Sequence, residues 1–495
     1  MTLDHVIRPL SHVAYLALAA IIASAASGSL NLADVQGALI VVGIVGAWRY
    51  GWAALNFSRA FVFLKLVYPR KRRQRERAFA AQAVRPHAFF LATSYKIEPE
   101  VTARVYHALF TAAARSTGGA TVVASVVDSA DARLIRQLYE AMPIDHGNVR
   151  LIVDRIAGTG KRDALARALE LISSQNPTRH DVVAFVDGDS CVPDNLLERA
   201  LPVFTDPDVG AMTTDEEALI ERDGLFRKWF NLRFAQRHAM MSSMALSERV
   251  LTLTGRMSVF RADLATQPAF IRQVRDDSIA HWRLGEIKFL TGDDKSTWYW
   301  LLSHGYKMVY VPDLVVVSME SQPLPGFFKS ATTLMVRWYG NMMRTNARAL
   351  DLGPRRIGMF TWWSILDQRV SIWTTLAGPT SVLIAAVFVS PLVLVLYLSW
   401  VMATRYVFCG IISAFRGRLF PISYPFLLYF GQIVGAVIKS YVSFRLDRQK
   451  WTRQKTQFRI GTGVGPRLRA MGSVGMHVLA LGWLVLAVFY LSAPA

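Results

Sequence analysis

Cysteine is nearly absent from this chain. Two residues in 495, Cys191 and Cys409, are too few and too far apart for a disulfide framework or a zinc site. The middle of the chain is therefore expected in a reducing compartment. Acidic residues are also scarce, 36 Asp and Glu against 56 Lys and Arg, which leaves a net charge of +20. The basic residues cluster beside apolar runs. The positive-inside rule accounts for that placement, and nucleic-acid binding is not expected. Attraction of anionic lipid or an anionic substrate stays open. No Walker A loop is present, because the only Gly-Lys pair near a helix start, Gly160-Lys161, lacks its spacing.

Apolar residues, by contrast, abound at 52%, too many for an ordinary soluble protein of this length. They concentrate at the two ends. Residues 11–28 read as a first membrane helix or as a signal peptide, since Ala23-Ser24-Ala25 resembles a cleavage site. With Arg8 as the one firm positive charge before them, the helix is favoured. Residues 36–56 form a second span. The connector 29–35 has no Lys or Arg, whereas Tyr68 to Arg77 is densely basic. This places the connector outside and the rest in the cytoplasm, with the basic run as a juxtamembrane anchor. Residues 371–389 and 391–412 read as a helical pair broken at Ser390-Pro391, and 471–492 as a last span. The segment 421–444 is apolar enough to cross, but Arg445–Arg469 carries eight Lys or Arg. Crossing would put those charges outside, so 421–444 is expected to be interfacial or re-entrant, giving five spans and an external C-terminus. The expected organisation is 1–68 with two membrane helices, 69–350 as a cytoplasmic domain, and 351–495 with interfacial and membrane helices around a basic loop.

Between the spans, strand patterns at Ala88–Thr93, Thr121–Val127, Val149–Val153 and Val182–Asp187 alternate with helical patterns such as Pro99–Ser116 and Ala130–Ala141. That alternation implies βαβ units and an α/β, mostly parallel sheet. Ligands then bind beyond the carboxyl ends of the strands. There the chain places Asp128, the loop Gly158-Thr159-Gly160-Lys161-Arg162, and Asp187-Gly188-Asp189. Asp128 is a turn carboxylate or a ligand contact. Lys161 and Arg162 begin a helix behind glycines, which suits a phosphate or simply a solvated helix start. Asp187 and Asp189, with glycine between them, form a strand-end turn or hold a hard cation whose shell substrate phosphates complete.

A second constellation is Thr291-Gly292-Asp293-Asp294-Lys295 at a helix start. Its acids cap the helix or supply a catalytic base for a hydroxyl that attacks an anomeric carbon, with Lys295 as fixed positive charge. His238 reads as structural, and the Met-rich face around it as core. Leu253-Thr254-Gly255-Arg256 is a turn that either brings backbone near a sugar or does no more than reverse the chain.

The order Asp128, Gly160-Lys161-Arg162, Asp187-Gly188-Asp189, Gly292-Asp293-Asp294-Lys295, Arg337-Trp338 resembles that of the membrane-integrated, inverting family 2 glycosyltransferases, among them cellulose, chitin and hyaluronan synthases. Arg155–Asp163, Phe234–His238, Ser243–Ser247, Leu253–Arg261, Phe289–Ser296 and Arg337–Asn341 resemble more specifically the mannuronan synthases of bacterial alginate biosynthesis. The resemblance covers nearly the whole chain. It implies a GT-A domain, GDP-mannuronate as donor, a β-1,4-linked polymannuronate product, processive growth, and export through the chain's own helices in the bacterial inner membrane. By position it implies that Asp128 contacts the nucleotide base and Lys161 the diphosphate. Asp187 and Asp189 would bind diphosphate and metal (Mg²⁺ or Mn²⁺), and Asp294 would be the general base supported by Asp293. Arg337 and Trp338 match the end of the processive Gln-x-x-Arg-Trp motif, but Leu334 stands where that motif has Gln. Lys295 is expected to pair with the uronate carboxylate. Lys450-Trp451-Thr452-Arg453 resembles a gating segment more weakly. Activation by cyclic di-GMP is implied; the chain has no receptor motif for it, so a partner subunit and other envelope subunits are expected. Two alternatives are a UDP-sugar synthase of the same mechanism and a non-catalytic channel or scaffold.

Overall fold

The computed structural model describes residues 4–288, 290–448 and 464–492. The Lys450–Lys455 segment and Phe289 lie outside them. The strands are β1 Ala88–Ser94, β2 Ala120–Val126, β3 Val149–Arg155, β4 Val182–Asp187, β5 Ser190–Cys191, β6 Val209–Leu219, β7 Met257–Arg261, β8 Ile279–His281, β9 Gly285–Ile287 and β10 Lys307–Met319. Eight of them form one sheet in the order β3-β2-β1-β4-β7-β6-β10-β5, and β8 and β9 pair as a separate hairpin.

The block β3-β2-β1-β4 is parallel throughout, with Leu91 opposite Val123 on one side and Phe185 on the other. β1, β2 and β4 are buried on both faces, which is why they read as apolar runs, whereas the edge strand β3 is partly exposed and carries Arg150 and Asp154. Alternation along β1 sends Phe89 and Leu91 into one core with Leu165, Phe260 and Trp298, and Phe90 into the opposite core with Tyr106 and Phe110. The helices Pro99–Ala114, Ser129–Ala141 and Lys161–Ser173 make the crossovers. β7 then enters antiparallel to both β4 and β6, while β6 and β10 run parallel. The sheet is therefore mostly parallel with one inverted strand at its centre. Because β7 is inverted, its first residues meet the last residues of β4, Val186 opposite Met257. The turn Thr254–Arg256 is thereby delivered to the carboxyl edge of the sheet.

By length and composition, six helices among the described residues can cross a membrane: Pro9–Gly28, Ala33–Ala80, Met359–Phe388, Leu392–Arg416, Tyr424–Phe444 and Leu468–Ser492. The first packs on Leu392–Arg416, where Tyr15 stacks on Tyr406. The second span does not stop near residue 56. Gln36–Val62 continues through a π-helical turn, Phe63–Val67, into the basic helix Tyr68–Ala80. The basic run is shared between two roles. Lys71 pairs with Glu248 at 2.6 Å and Arg72 with Asp313 at 2.6 Å, docking the helix on the α/β domain, while Arg70, Arg73 and Arg77 stay exposed.

Tyr424–Phe444 is one unbroken helix, not a re-entrant one. It lies lengthwise against the helix Phe327–Leu350. Phe430 meets Phe327 near one end, Gly435 and Lys439 meet Tyr339 in the middle, and the Leu446 carbonyl just past its end accepts from Arg344 at 3.2 Å.

A buried polar node fastens membrane helix to sheet. Arg416, at the end of Leu392–Arg416, clasps Asp215 of β6 with both guanidinium nitrogens, one at 3.0 Å. His238 Nδ1 sits 3.1 Å from the same carboxylate and 2.9 Å from the Tyr310 hydroxyl, so its expected structural role holds. Burial would raise the Asp215 carboxyl, but His238, Arg416 and Arg237 outweigh it and hold it below the usual range. Removing one partner of such a pair strands the other charge, at a cost of about 3–5 kcal/mol. Asp215→Ala should therefore lower the thermal midpoint in detergent markedly. Arg418→Ala, whose pair with Glu217 leaves the arginine 71% exposed, should barely move it. Equal shifts would mean that the node is screened by solvent.

Candidate active site

The site begins where β4 ends. Asp187 is its last residue, and Gly188 follows with its N–H bonded to the Thr93 carbonyl at 3.1 Å. A Cβ at Gly188 would lie 2.6 Å from Ser94 Oγ and 2.8 Å from that carbonyl, so only glycine lets the backbone press onto the end of β1. The Asp189 carbonyl accepts from Met319 N at 2.8 Å, which pins the turn to β10.

Lys161 opens the next layer. Gly158 and Gly160 take positive φ, 76° and 125°, and set the helix Lys161–Ser173 beneath the turn. Its ammonium bridges Asp187 Oδ1 at 2.7 Å and Asp293 Oδ2 at 2.9 Å. Burial would lower the Lys161 pKa, but the two carboxylates raise it well above its ordinary value, so the lysine stays charged. Asp187 moves the other way. Burial pushes its carboxyl up to about 6; Lys161 pulls it down, while Asp189 and Asp293 add to the rise.

Asp293 and Asp294 begin the helix Asp293–Ser303, whose N-cap is Gly292. Both line the same small cavity as Lys161, Asp187 and Gly255. Burial first, then the neighbouring Asp293, raises the Asp294 carboxyl above its ordinary value. Arg337 reaches the group from the helix Phe327–Leu350, since its guanidinium feels the charges of Glu320, Asp187 and Asp294. Next to it, Trp338 stacks on Trp229, centroids 5.8 Å apart and planes at 15°. Leu334 is buried in the apolar cluster with Phe230 and Met335, so no polar contact comes from that position.

The structure thus gathers Lys161, Asp187, Asp189, Asp293, Asp294 and Arg337. Asp128 stands at the adjoining end of β2, exposed, with Oδ1 accepting Ala130 N at 2.9 Å as the cap of Ser129–Ala141. Two expectations are corrected. Arg162 is not a phosphate contact: it is buried and donates to the carbonyls of Val274 at 2.6 Å and Gly292 at 3.1 Å, to that of Leu290, and to Ser296 Oγ at 2.6 Å. It shapes the loop that carries Asp293 and Asp294. Lys295 does not enter the cavity either: its Nζ donates to the Leu251 carbonyl at 2.6 Å and lies 4.7 Å from the Trp298 ring. That geometry leaves it no path to a donor carboxylate.

Several site residues escaped sequence reasoning. Arg256, beside Gly255, binds Glu320 at 2.5 Å, Ser318 at 2.9 Å and Glu216 at 3.3 Å, tying β6, β7 and β10 together under the Asp187 turn. Asn341 Oδ1 accepts from the Thr291 hydroxyl at 2.6 Å and from Arg344 at 2.5 Å, holding the loop before Asp293. The Gly-Arg pair was the only local signal for the first set, and nothing local marks the second.

A family model described as glycosyltransferase like family 2 matches residues 86–341, from the approach to β1 through Asn341. The chain is a family 2 glycosyltransferase. It is 43% identical over 445 residues, 90% of each chain, to a protein named glycosyltransferase alg8 from Pseudomonas syringae pv. tomato. It is 44% identical over 423 residues, 85% of each chain, to glycosyltransferase alg8 of Azotobacter vinelandii. Among solved structures, mannosyltransferase PcManGT from Pyrobaculum calidifontis, in complex with GDP-Man and Mn²⁺, matches with TM-score 0.53 at 17% identity, covering 81% of this chain and 98% of that one. This likeness fixes the GT-A fold of the family 2 glycosyltransferase domain.

The displaced Lys295 has a measurable signature. Burial lowers its pKa from 10.5 to about 8, with Asp294 opposing. Between those values the unfolded chain binds the proton and the folded one does not, so stability rises with pH across that window. Lys295→Met should flatten the rise when unfolding in detergent is followed from pH 8 to 10. An unchanged slope would place the ammonium in solvent.

Proposed function

We propose that this glycosyltransferase transfers mannuronosyl units from GDP-mannuronate to the growing end of a β-1,4-polymannuronate chain, the alginate precursor. In this reading it is processive and passes the polymer across the bacterial inner membrane through its own helices. The observation that carries the reading is the convergence of Asp187, Lys161 and the Asp293–Asp294 pair on one cavity, with the charge of Asp189 acting on Asp187, in a chain similar over most of its length to the two alg8 glycosyltransferases.

The chemistry follows from the geometry. The acceptor hydroxyl oxygen attacks the anomeric carbon as the bond from that carbon to the diphosphate oxygen breaks. Asp294 takes the hydroxyl proton, GDP departs with the bonding pair, and the centre inverts, so an α-linked donor gives a β-linked product. A base must bind a proton strongly enough to take it from the hydroxyl, and burial, then the neighbouring Asp293, moves Asp294 in that direction. Asp293 is held by Lys161 and so supports rather than accepts. Lys161 also stands where charge develops on the leaving diphosphate.

Asp187 and Asp293 share the one lysine, and burial first, then Asp189 and Asp293, push the Asp187 carboxyl up against the pull of Lys161, an environment suited to a cation. Asp187 and Asp189 would hold a divalent ion, Mg²⁺ or Mn²⁺, which when bound neutralises the leaving diphosphate. Among the described residues no third His, Cys, Asp or Glu joins them, so substrate phosphates would complete the shell.

Asp128 would meet the base from the end of β2. Trp338, stacked on Trp229, would carry the acceptor sugar. Tyr424–Phe444, alongside Phe327–Leu350, would lie at the cytoplasmic interface, leaving five spans. A cyclic di-GMP-binding partner subunit and other envelope subunits would work with this chain.

The test is GDP release by membranes that contain the chain with its partner subunits, supplied with GDP-mannuronate, Mg²⁺ and cyclic di-GMP, with UDP-sugars and GDP-mannose in parallel. GDP-mannuronate alone should turn over, to a product that mannuronate lyase cuts. Asp294→Asn should lower turnover about 10²–10⁴-fold with donor binding retained. Turnover of a UDP-sugar instead would overturn the donor assignment, and full activity in Asp294→Asn would overturn the mechanism.

A further inference from the structure

Two cations meet at the seam between the catalytic domain and the membrane helices, and among the described residues no acid pairs with either. Arg233 lies one turn beyond Trp229 on the helix Leu225–Ala245. Its Nη1 donates to the Tyr339 hydroxyl at 3.3 Å, and its guanidinium carbon lies 5.8 Å from the ring centres of both Trp338 and Tyr339. Lys439 comes from the apolar helix Tyr424–Phe444, and its Nζ lies 4.9 Å from the Tyr339 ring. Gly435, one turn earlier, makes room, since a Cβ there would stand 3.1 Å from the Tyr339 hydroxyl.

Among the described residues neither cation forms an ion pair. The one acid whose charge reaches Lys439, Asp367, is taken by Arg49 at 2.6 and 3.4 Å. The surplus positive charge registers on the phenol: burial would raise Tyr339, yet Arg233 and Lys439 together bring it below its ordinary value. An ionisable side chain in so apolar a helix is costly unless something of opposite charge visits it. Beside these cations stands the Trp338–Trp229 stack, a flat apolar surface of the kind sugar rings lie on.

We propose that Arg233 and Lys439 form a carboxylate-binding subsite, which grips the acidic group of a uronate residue of the product chain as it leaves Trp338 for the membrane. This rests on the polyuronate product proposed above and adds a means of selecting it: a neutral chain would leave two half-buried cations unpaired. An anionic lipid headgroup offers the same charge, so the experiment separates the two.

Purified full-length chain in detergent, without donor, is titrated with β-1,4-linked hexamannuronate and with its neutral counterpart, β-1,4-mannohexaose. The acidic chain should bind about tenfold more tightly, and added salt should shrink the difference. Arg233→Gln and Lys439→Gln should each erase most of the preference and leave mannohexaose affinity unchanged, whereas Lys439→Arg keeps it. If Lys439→Gln loses both ligands the fold has failed there, and the charge-keeping Arg233→Lys set against Arg233→Gln then decides. A preference that survives in Arg233→Gln, or equal binding of both hexasaccharides by the unaltered chain, overturns the subsite. Displacement of hexamannuronate by phosphatidylglycerol, dependent on Lys439, assigns the cations to lipid and also overturns it. A chain that turns over GDP-mannuronate but binds both hexasaccharides equally loses only the subsite. One that does not turn over GDP-mannuronate yet keeps a Lys439-dependent acidic preference loses only the donor assignment.

Discussion

The ammonium of Lys161, between Asp187 and Asp293, is the contact on which the site depends. Asp187 ends a strand of the parallel block, and Asp293 starts a helix more than a hundred residues later. Left without a cation, Asp187 and the Asp293–Asp294 pair would repel one another in a poorly solvated cleft. One buried lysine holds the two acid sites together. It also divides the acid pair: Asp293 is committed to the lysine, which leaves Asp294 to face the cavity.

The sheet makes that contact possible by an inversion. Were β7 parallel to β4, its glycine turn would fall at the far edge, and Asp187 would have no backbone partner beside it. Inverted, the strand puts the Arg256 carbonyl 2.9 Å from Asp187 N and Gly255 against the carboxylate. The arginine of that turn, neutralised by Glu216 and Glu320, then underpins the acid cluster without adding free charge.

Much of this was legible in the chain itself. Three of the four parallel strands, β1, β2 and β4, are mostly apolar runs without strict alternation, and polar residues stand at or just past their ends, Ser94, Asp128 and Asp187. What sequence could not supply was direction. Neighbours on a helix point about 100° apart, so adjacency to a site residue says little about reaching the site. Lys161 and Arg162 are consecutive, yet one enters the cavity and the other turns to the carbonyls of Val274 and Gly292. Asp294 and Lys295 part in the same way, the lysine going to the Leu251 carbonyl. The inversion of β7 was equally hidden, since five residues of mixed character, Met257–Arg261, carry no sign of strand polarity. Arg256 and Asn341 act through partners 40 or more residues away, beyond any local pattern.

The helix Phe327–Leu350 joins chemistry to membrane because it is used on two sides within three residues. Arg337 feels the site carboxylates, Trp338 lies on Trp229, and Tyr339 faces the helix Tyr424–Phe444. One turn further on, Arg344 donates to Thr291, just before Asp293 and Asp294, and to the Leu446 carbonyl, just after the helix Tyr424–Phe444. A shift of this helix along its axis would therefore move the stacking surface, the loop of the base and the cationic seam together. Packed interiors switch between arrangements more readily than they stretch. Any rearrangement of the Phe327–Leu350 helix would thus carry the Asp293–Asp294 loop and the Arg233–Lys439 seam in step with each other.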